Sequence, residues 1–237
     1  MRKHKAPTSA AKFILFQRTA NIKLANRVPF RILIKILPFF SYNFMVEVEA
    51  KIRSKKIIDS YFSDMKREYE SFRDFLPANC STILDIGCGI AGIDVFINEH
   101  YSLQGIECYL LDKSEVEDSV YYMFENKGAF YNSLGLAKAT LVNNGVDENN
   151  VHLIEATENN DINIEKNVDL VLSLISWGYH YPVNTYLDKV HALLSKKGVL
   201  ILDIRKGTDG LDLITKKFGE YRKILETNKY IRICAIK

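Results

Sequence analysis

Two different hydrophobic patterns divide the chain near residue 80. Over residues 44–76 the apolar side chains recur at a spacing close to that of a helix, and Pro77 ends the pattern. We therefore expect one long helix, or two, in this stretch. From residue 80 onward, short apolar runs rich in β-branched residues alternate with helical stretches. This alternation is typical of a parallel sheet covered by helices on both faces.

The predicted elements of the second part follow one another regularly. The predicted strands lie at residues 82–86, 107–111, 151–155, 168–175 and 199–204. The predicted helices between them lie at residues 91–99, 131–144 and 183–194. At the C-terminus two further apolar runs, 221–226 and 230–236, flank the turn residues Thr227, Asn228 and Lys229, which predicts an antiparallel hairpin.

These elements predict an α/β fold. We expect a Rossmann-like, mostly parallel sheet of seven strands, with the hairpin at its C-terminal edge and a helical extension at the N-terminus. The change of pattern divides the chain into a basic, helical N-terminal extension and cap (residues 1–79) and an α/β domain (residues 80–237).

Composition narrows the class of protein further. The chain has 237 residues, of which 47% are apolar and 26% charged, as in an ordinary globular protein, so wholesale disorder is excluded. The net charge of +3 is unevenly distributed: residues 1–46 hold nine lysines and arginines and no acidic residue, whereas the rest of the chain holds 23 basic and 29 acidic residues. Such a basic leader favours contact with phosphate, anionic lipid or an acidic partner.

The sequence does not favour a disulfide framework, a metal site or a membrane span. The four cysteines form no CxxC pair and no Cys/His ligand spacing, which favours a reducing, cytoplasmic location. The apolar run at residues 13–16 is too short for a signal peptide. The run at residues 30–40 falls short of the ~20 residues that cross a bilayer and contains Arg31 and Lys35.

A glycine-rich turn follows the first predicted strand. Gly87, Gly89 and Gly92 match the pattern G-x-G-x-x-G, and Asp112 follows Gly92 by 20 residues at the end of the second strand. In dinucleotide-binding domains such glycines approach a pyrophosphate and the acid holds a ribose hydroxyl, so the pattern alone suggests NAD. Asp85 favours another ligand, because a carboxylate two residues before the first glycine would repel a pyrophosphate and attract an ammonium group.

The run LDIGCG at residues 84–89 resembles the first motif of the class I S-adenosylmethionine-dependent methyltransferases. Together with the C-terminal hairpin, the resemblance extends from about Ser81 to the C-terminus. It implies S-adenosylmethionine as the cofactor, a ligand with an ammonium and a sulfonium group and no phosphate.

By that resemblance, the residues at the ends of the first four strands line the cofactor. Gly87 and Gly89 pass its methionine and ribose moieties, Asp85 orients its amino end and Asp112 accepts both ribose hydroxyls. Glu155 is the candidate contact with the adenine, although a solvated loop acid is an equal alternative. The full predicted set is Asp85, Gly87, Cys88, Gly89, Asp112, Lys113, Glu155, Ala156 and Ser173.

The segment after the fourth strand carries the candidate catalytic residues. Methyl transfer to a hydroxyl or an ammonium group needs alignment of the acceptor and removal of a proton, for which histidine is the usual base. His180 is the candidate base, and Tyr179 and Tyr181 are candidate positioning groups. Trp177 and the tyrosines would wall the acceptor; the alternative is that the cluster only packs against the N-terminal cap. Asp203 and Arg205 either bind the acceptor or pair with each other.

We expect the acceptor to be a hydroxyl group of a small molecule or sugar, with or without an anionic group. The Asn/Asp-Pro-Pro-Tyr/Phe signature of many N-methyltransferases is absent, as is a cysteine after the fourth strand. The run at residues 130–137 is also similar to methyltransferases of surface-glycan pathways. The alternatives are a small amine such as phosphoethanolamine, an RNA substrate, which we consider less favoured, and a ligand-binding relative without turnover.

Two segments admit several interpretations. Residues 114–130 either form part of a lid over the acceptor or pack on the sheet. The leader, residues 1–43, is a solvated helical cap, a cap that closes over an anionic acceptor, or a peripheral membrane contact through residues 30–40. The sequence does not predict the oligomeric state.

Overall fold

Seven strands form one mixed sheet in the order β3-β2-β1-β4-β6-β8-β7. The computed structural model describes residues 3–18, 22–23, 42–101, 105–114 and 132–237. The strands are β1 (Thr82–Ile86), β2 (Glu107–Asp112), β3 (Val151–Glu155), β4 (Val168–Ser173), β6 (Leu194–Arg205), β7 (Arg222–Glu226) and β8 (Tyr230–Ile236), and a further strand, β5 (Ser176–Tyr181), lies against β6.

The pairing within the sheet confirms the predicted fold class. Strands β1, β2, β3, β4 and β6 pair in parallel. Strand β8 inserts antiparallel between β6 and β7, so that the predicted hairpin closes one edge of the sheet. Because the parallel strands all end at the same edge, the turns after β1, β2, β3 and β4 are brought together there.

Six α-helices accompany the sheet in the described residues. They are α1 (Ala10–Gln17), α2 (Tyr42–Phe72), α3 (Gly92–His100), α4 (Leu134–Asn143), α5 (Leu187–Leu193) and α6 (Gly210–Phe218). The helical spacing after residue 43 belongs to one helix, α2, which continues as a 3-10 turn at Arg73–Phe75 before Pro77.

Three expectations about the elements need correction. Strand β4 ends at Ser173 rather than residue 175, because Ile175 adopts a left-handed φ of 54° and turns the chain into β5. The helix expected at residues 183–194 is a 3-10 turn, Val183–Thr185, followed by α5, and β6 already begins at Leu194. The helix α6 and the strand β5 were not expected at all.

The N-terminal helices share a hydrophobic core with one face of the sheet. Buried side chains of α1 and α2 belong to the same cluster as those of β1, α3 and β2, among them Ile14, Ile57, Ile83, Ile97 and Leu110. The core therefore runs across the boundary expected between residues 79 and 80, and the two-part division of the chain stays a prediction.

The described basic residues of the leader are mostly paired with acids of α2. Lys3 contacts Asp59 at 3.5 Å, Arg18 contacts Asp64 at 3.9 Å, and Lys12 contacts Glu47. The residues of the expected membrane contact, 30–40, lie outside the described part of the chain, as do residues 115–130 of the expected lid. Within the described residues, no helix is both long and apolar enough to cross a membrane.

Candidate active site at the carboxyl ends of the strands

The turn after β1 depends on glycine for two reasons at Gly87. Its φ is +80°, a left-handed conformation that L side chains rarely adopt. A Cβ atom placed there would also lie 2.0 Å from Oγ of Ser176, the first residue of β5. The backbone N–H of Gly87 donates to the carbonyl of Leu111 at 2.7 Å, which ties the turn to β2. The glycine is therefore required by contacts within the protein, whether or not a ligand passes it.

Gly89 lies between Asp112, the acid predicted to bind the ribose, and the end of helix α1. Its N–H donates to Oδ2 of Asp112 at 2.8 Å, and the N–H of Lys113 donates to Oδ1 at 2.7 Å. A Cβ on Gly89 would lie 3.0 Å from Oε1 of Gln17, the last residue of α1. Burial raises the pKa of Asp112, although these two N–H groups oppose the rise. The carboxylate is thus held in one orientation at the end of β2.

Three further side chains that the sequence did not indicate join this side of the site. Gln17 donates to Oδ1 of Asn132 at 3.4 Å, and Asn132 is buried. The hydroxyl of Tyr61 in α2 accepts a hydrogen bond from the N–H of Gly92, at 3.0 Å. No local pattern marks any of the three, because each reaches the turn from a distant part of the chain.

Asp85 is buried at the end of β1 and faces a second buried acid, Asp94 of α3. Burial raises the pKa of Asp85 well above its ordinary value, and the negative charges of Asp94 and Asp112 raise it further. Burial likewise raises the pKa of Asp94, to about 6. No cationic side chain acts on Asp85 in the described part of the chain. Asp94 did not feature among the residues expected from the sequence.

The ends of β2 and β3 lie side by side. Asp112 pairs with Glu155 across the two strands, and the N–H of Ala156 donates to the carbonyl of Asp112 at 2.9 Å. Glu155 is exposed and accepts a hydrogen bond from the N–H of Ser114, at 2.5 Å. The carboxylate therefore holds the segment after β2, and its contact with an adenine stays a prediction.

The hydroxyl group of Ser173 forms hydrogen bonds within the protein. Its hydroxyl donates to the carbonyl of Ile86 at 2.7 Å and accepts from the N–H of Trp177 at 2.9 Å, and the side chain is fully buried. Both hydrogen-bonding roles are thus used inside the protein, where they join the ends of β1 and β4 to β5. The predicted contact of this hydroxyl with a cofactor finds no support in the described contacts. Cys88 is buried as well, and its contact also stays a prediction.

His180 belongs to an aromatic cluster at the end of β5. Its ring meets that of Tyr179 edge-on at 4.9 Å, and Tyr179 meets Tyr230 edge-on at 6.0 Å. The guanidinium group of Arg205 lies 5.6 Å from the centre of the Tyr179 ring. Partial burial and the positive charge of Arg205 lower the pKa of His180 below its ordinary value. The imidazole is therefore neutral at neutral pH and able to accept a proton.

Tyr181 and Trp177 differ from this cluster in their surroundings. Burial raises the pKa of Tyr181 to about 12, and the charges of Asp112 and Tyr186 add to the rise. Trp177 is fully buried, and its indole N–H donates to the carbonyl of Val183 at 2.8 Å. The expectation that Trp177 walls the acceptor is wrong, because the ring belongs to the core between β5 and the following 3-10 turn.

Asp203 and Arg205 do not pair with each other. Asp203 is fully buried and accepts two hydrogen bonds from Arg232 of β8, at 2.7 and 2.8 Å. Arg232 also donates to Ser71 and contacts Glu68 at 2.7 Å, both in α2. The side chain of Asp203 therefore serves the attachment of α2 to the sheet, and Arg205 is left beside Tyr179.

Comparisons with known proteins bear on the fold. No family model and no curated protein matches the chain. Solved structures do: a putative O-methyltransferase from Nostoc punctiforme has 16% identity and a TM-score of 0.51, with 80% of this chain and 61% of that chain covered. A segment described as "StiE O-MT residues 961-1257" has 11% identity and a TM-score of 0.52, with coverage of 78% and 77%. The fold is that of the class I S-adenosylmethionine-dependent methyltransferases.

A cavity of about 320 Å³ opens beside the aromatic cluster of this methyltransferase fold. It is bounded by α2 and the C-terminal hairpin, and Tyr230 belongs both to its wall and to the cluster. The wall carries two arginines, two acids and two hydroxyl groups and is lined by Arg18, Asp64, Arg67, Glu68, Ser71, Leu225 and Tyr230. A larger cavity of about 620 Å³ lies at the opposite edge of the sheet, near Gly198 and Ile236. The smaller cavity lies near the carboxyl end of β6, since Tyr230 in its wall pairs with Arg205, the last residue of that strand.

Proposed function

We propose that this protein is an S-adenosylmethionine-dependent methyltransferase that acts on a hydroxyl group of a small molecule or sugar. The observation that carries the proposal is the arrangement around the turn after β1. A buried Asp85 without a cationic partner and an oriented Asp112 lie on either side of the turn in a methyltransferase fold. When bound, S-adenosylmethionine supplies an electrophilic methyl group on a sulfonium centre.

The described side chains suit this cofactor at both of its ends. Asp85 needs a cation, and the ammonium group of a methionine moiety is one. Asp112 keeps acceptor capacity for ribose hydroxyls, because a carboxylate has about four lone-pair sites and the two backbone N–H groups and the side chain of Asn132 use only three. The buried Asn132 thus helps to hold this carboxylate at the ribose end of the site.

His180 is the proposed base for the acceptor hydroxyl. The neutral imidazole removes the proton as the hydroxyl oxygen attacks, and it passes that proton to solvent because the side chain remains partly exposed. The charge of Arg205 disfavours the protonated imidazole and so speeds this release. Tyr179, held between Tyr230 and Arg205, fixes the ring of His180, and Tyr181 is the proposed positioning group towards the cofactor.

A small polar acceptor fits the cavity beside the aromatic cluster better than an RNA does. The cavity wall contains both charged groups and hydroxyl groups, which suits a molecule with several hydroxyls. Three described lysines and arginines of the leader are neutralised by α2, which weakens the case for a phosphate-binding surface. The proposal therefore places the acceptor between α2, the hairpin and the end of β5.

The cofactor is tested first, by calorimetry of the full chain with S-adenosylhomocysteine and, separately, with NAD. We expect binding of S-adenosylhomocysteine and none of NAD. The variant Asp112→Asn should bind at least about tenfold more weakly, because a carboxylate that accepts hydrogen bonds is stronger than an amide in that role. Asp212→Asn, an exposed acid on α6, is the matched control and should bind like the natural chain. Binding of NAD alone would overturn the proposed cofactor.

The acceptor is tested by release of S-adenosylhomocysteine from S-adenosylmethionine in the presence of candidate compounds. Sugars and other polyhydroxylated molecules are compared with matched amines, phosphoethanolamine among them, and with RNA oligonucleotides. Turnover with a hydroxyl acceptor supports the proposal. Turnover confined to an amine or to RNA, with steep salt dependence of binding in the RNA case, would overturn the acceptor class.

A further inference from the structure

Asp94 is a buried acid without a satisfied carboxylate. It lies in the first turn of α3, two residues after Gly92 of the glycine-rich turn, and it is fully buried. Its carboxyl group meets the carboxyl group of Asp85 and its own backbone N–H, and neither oxygen has any other hydrogen-bond partner in the described residues. An ionised carboxylate in such a place is costly unless a proton or a cation balances it.

The groups around Asp94 supply no cation. Asp85 faces it from β1 and Cys108 approaches from β2, while Cys88 comes from the turn and Tyr61 from α2. Burial raises the pKa of Cys88, Cys108 and Tyr61, which keeps all three neutral. One cation, Arg18, contacts Tyr61: its guanidinium group lies 5.9 Å from the centre of that ring. Arg18 is not among the groups that act on Asp85 or Asp94.

We propose that Asp94 is a positioning residue for Asp85: the two carboxyl groups hold one proton between them in the empty site, and the ammonium group of the cofactor replaces that proton on Asp85. The inference rests on the proposed function, since it concerns the same cofactor. It adds a residue and a proton to the site. Asp94, whose one other donor in the described residues is its own backbone N–H, accepts the proton-mediated contact from Asp85 and keeps that carboxyl group neutral until a cation enters.

The exchange balances in charge and in protons. In the empty site one proton is bound to the pair, which then carries a single negative charge. The ligand arrives with a protonated amino group, the carboxyl proton of Asp85 leaves to solvent, and the ammonium group forms the ion pair with the resulting carboxylate. Binding is thus coupled to proton release, and it tightens by up to about tenfold per pH unit while Asp85 is protonated in the free protein.

Calorimetry in buffers of different ionisation enthalpy measures this proton directly. At about pH 7, S-adenosylhomocysteine, which carries the ammonium group, should release up to about one proton per molecule bound. The comparison ligand is 5′-methylthioadenosine, which has the same nucleoside and no amino-acid end. It should bind without release of a proton and with little dependence on pH. This pair of ligands needs no variant, so the result does not depend on how a substitution affects folding.

The variant Asp94→Asn assigns the proton to the pair. Without the charge of Asp94, Asp85 ionises at lower pH, so the proton released by S-adenosylhomocysteine should decrease and the affinity should vary less with pH. Asp212→Asn, an exposed acid on α6, should keep the full release. Binding of S-adenosylhomocysteine without proton release, or equal release by both ligands, would overturn this inference alone. Failure of S-adenosylhomocysteine to bind at all would overturn the proposed function itself.

Discussion

Gly87 and Gly207 have nearly the same backbone φ, +80° and +79°, but different surroundings. A Cβ on Gly87 would lie 2.0 Å from Oγ of Ser176, whereas a Cβ on Gly207 would have no heavy atom within 4 Å. The two positions therefore separate the strain of a left-handed backbone from the effect of close packing. They make a matched pair for substitution by alanine.

We expect Gly87→Ala to destabilise the protein more than Gly207→Ala. The left-handed conformation costs an alanine about 1–2 kcal/mol at either position, and overpacking against Ser176 adds about 1–3 kcal/mol at Gly87 alone. Urea unfolding of the two variants measures the difference. Equal losses of unfolding free energy in the two variants would mean that β5 moves to accommodate the added methyl group. The contact with Ser176 would then not be the reason why residue 87 is a glycine.

His180 is expected to set the pH dependence of catalysis. A base must be neutral to accept a proton, and the pKa of His180 lies below its ordinary value of 6.5. The rate at saturating cofactor and acceptor should therefore fall as the pH drops through that lowered pKa and stay level above neutrality. His180→Asn should reduce kcat by about 10²–10⁴-fold and abolish the acidic limb of the kcat profile.

His191→Asn is the control for this profile. His191 also has a lowered pKa, from burial first and then from the charges of Lys217 and Lys237, and it packs on Phe218 in another part of the fold. Its replacement should leave the acidic limb in place. If His191→Asn moved the limb and His180→Asn did not, the proposed base would be wrong.

The sequence predicted those site residues that lie in or directly after a recognisable strand. Asp85, the glycines and Asp112 follow apolar strands, so their place at one sheet edge was predictable from the alternation of elements. Gln17, Tyr61 and Asn132 were not, because their contacts with the turn are tertiary. The hydrogen bonds of Ser173 and Trp177 within the core were not predictable either, since a sequence does not show which partner a buried hydroxyl or indole takes.

Among the elements, the C-terminal hairpin and α2 are joined through one buried arginine. Arg232 of β8 is fully buried and contacts Asp203 of β6 together with Glu68 and Ser71 of α2. Burial raises the pKa of Asp203, and the bidentate contact with Arg232 opposes that rise. The pair is stable as a unit, and loss of one member leaves a charge without compensation.

Arg232→Met should therefore destabilise the protein by about 3–5 kcal/mol, because Asp203 would stay buried without its cation. Arg222→Met, on the exposed edge strand β7, removes the same charge and should change the free energy of unfolding by less than about 0.5 kcal/mol. Denaturant unfolding distinguishes the two. A loss below about 1 kcal/mol for Arg232→Met would show that water reaches Asp203 and that the contact is not a structural tie.

Strand β5 and helix α6 were not predicted from the sequence. Strand β5 contains Gly178, whose φ is +85° and where a Cβ would lie 2.8 Å from the carbonyl of Asp203, so the strand owes its place to packing against β6. Helix α6 spans only Gly210–Phe218 and buries few side chains, among them Ile214. By contrast, the hairpin has regular apolar runs on both sides of a polar turn, and it was predicted with nearly the bounds that the structure has.

At the scale of the whole molecule, the shared core argues that the N-terminal helices and the sheet fold together. Side chains of α1 and α2 are buried with those of β1 and α3, and His4 and Lys5 reach Glu99 and Asn144 beyond the expected boundary at residue 79. An extension that merely covered a complete domain would have a core of its own or would leave the core of the sheet closed without it.

Two spectroscopic signals measure the unfolding of the sheet and of the N-terminal helices separately. Trp177, the only tryptophan, is buried in the second hydrophobic cluster with β4 and β6, so its fluorescence follows the sheet. The circular dichroism of helices follows α2, which has 31 residues and is the longest helix described. We expect both signals to change in one transition with the same midpoint on heating or in urea, since the core that joins them is continuous. Arg232→Met should lower the midpoint of both signals together. A helical signal lost before the fluorescence changes would contradict a single cooperative unit and would favour an N-terminal part that detaches from an intact methyltransferase fold.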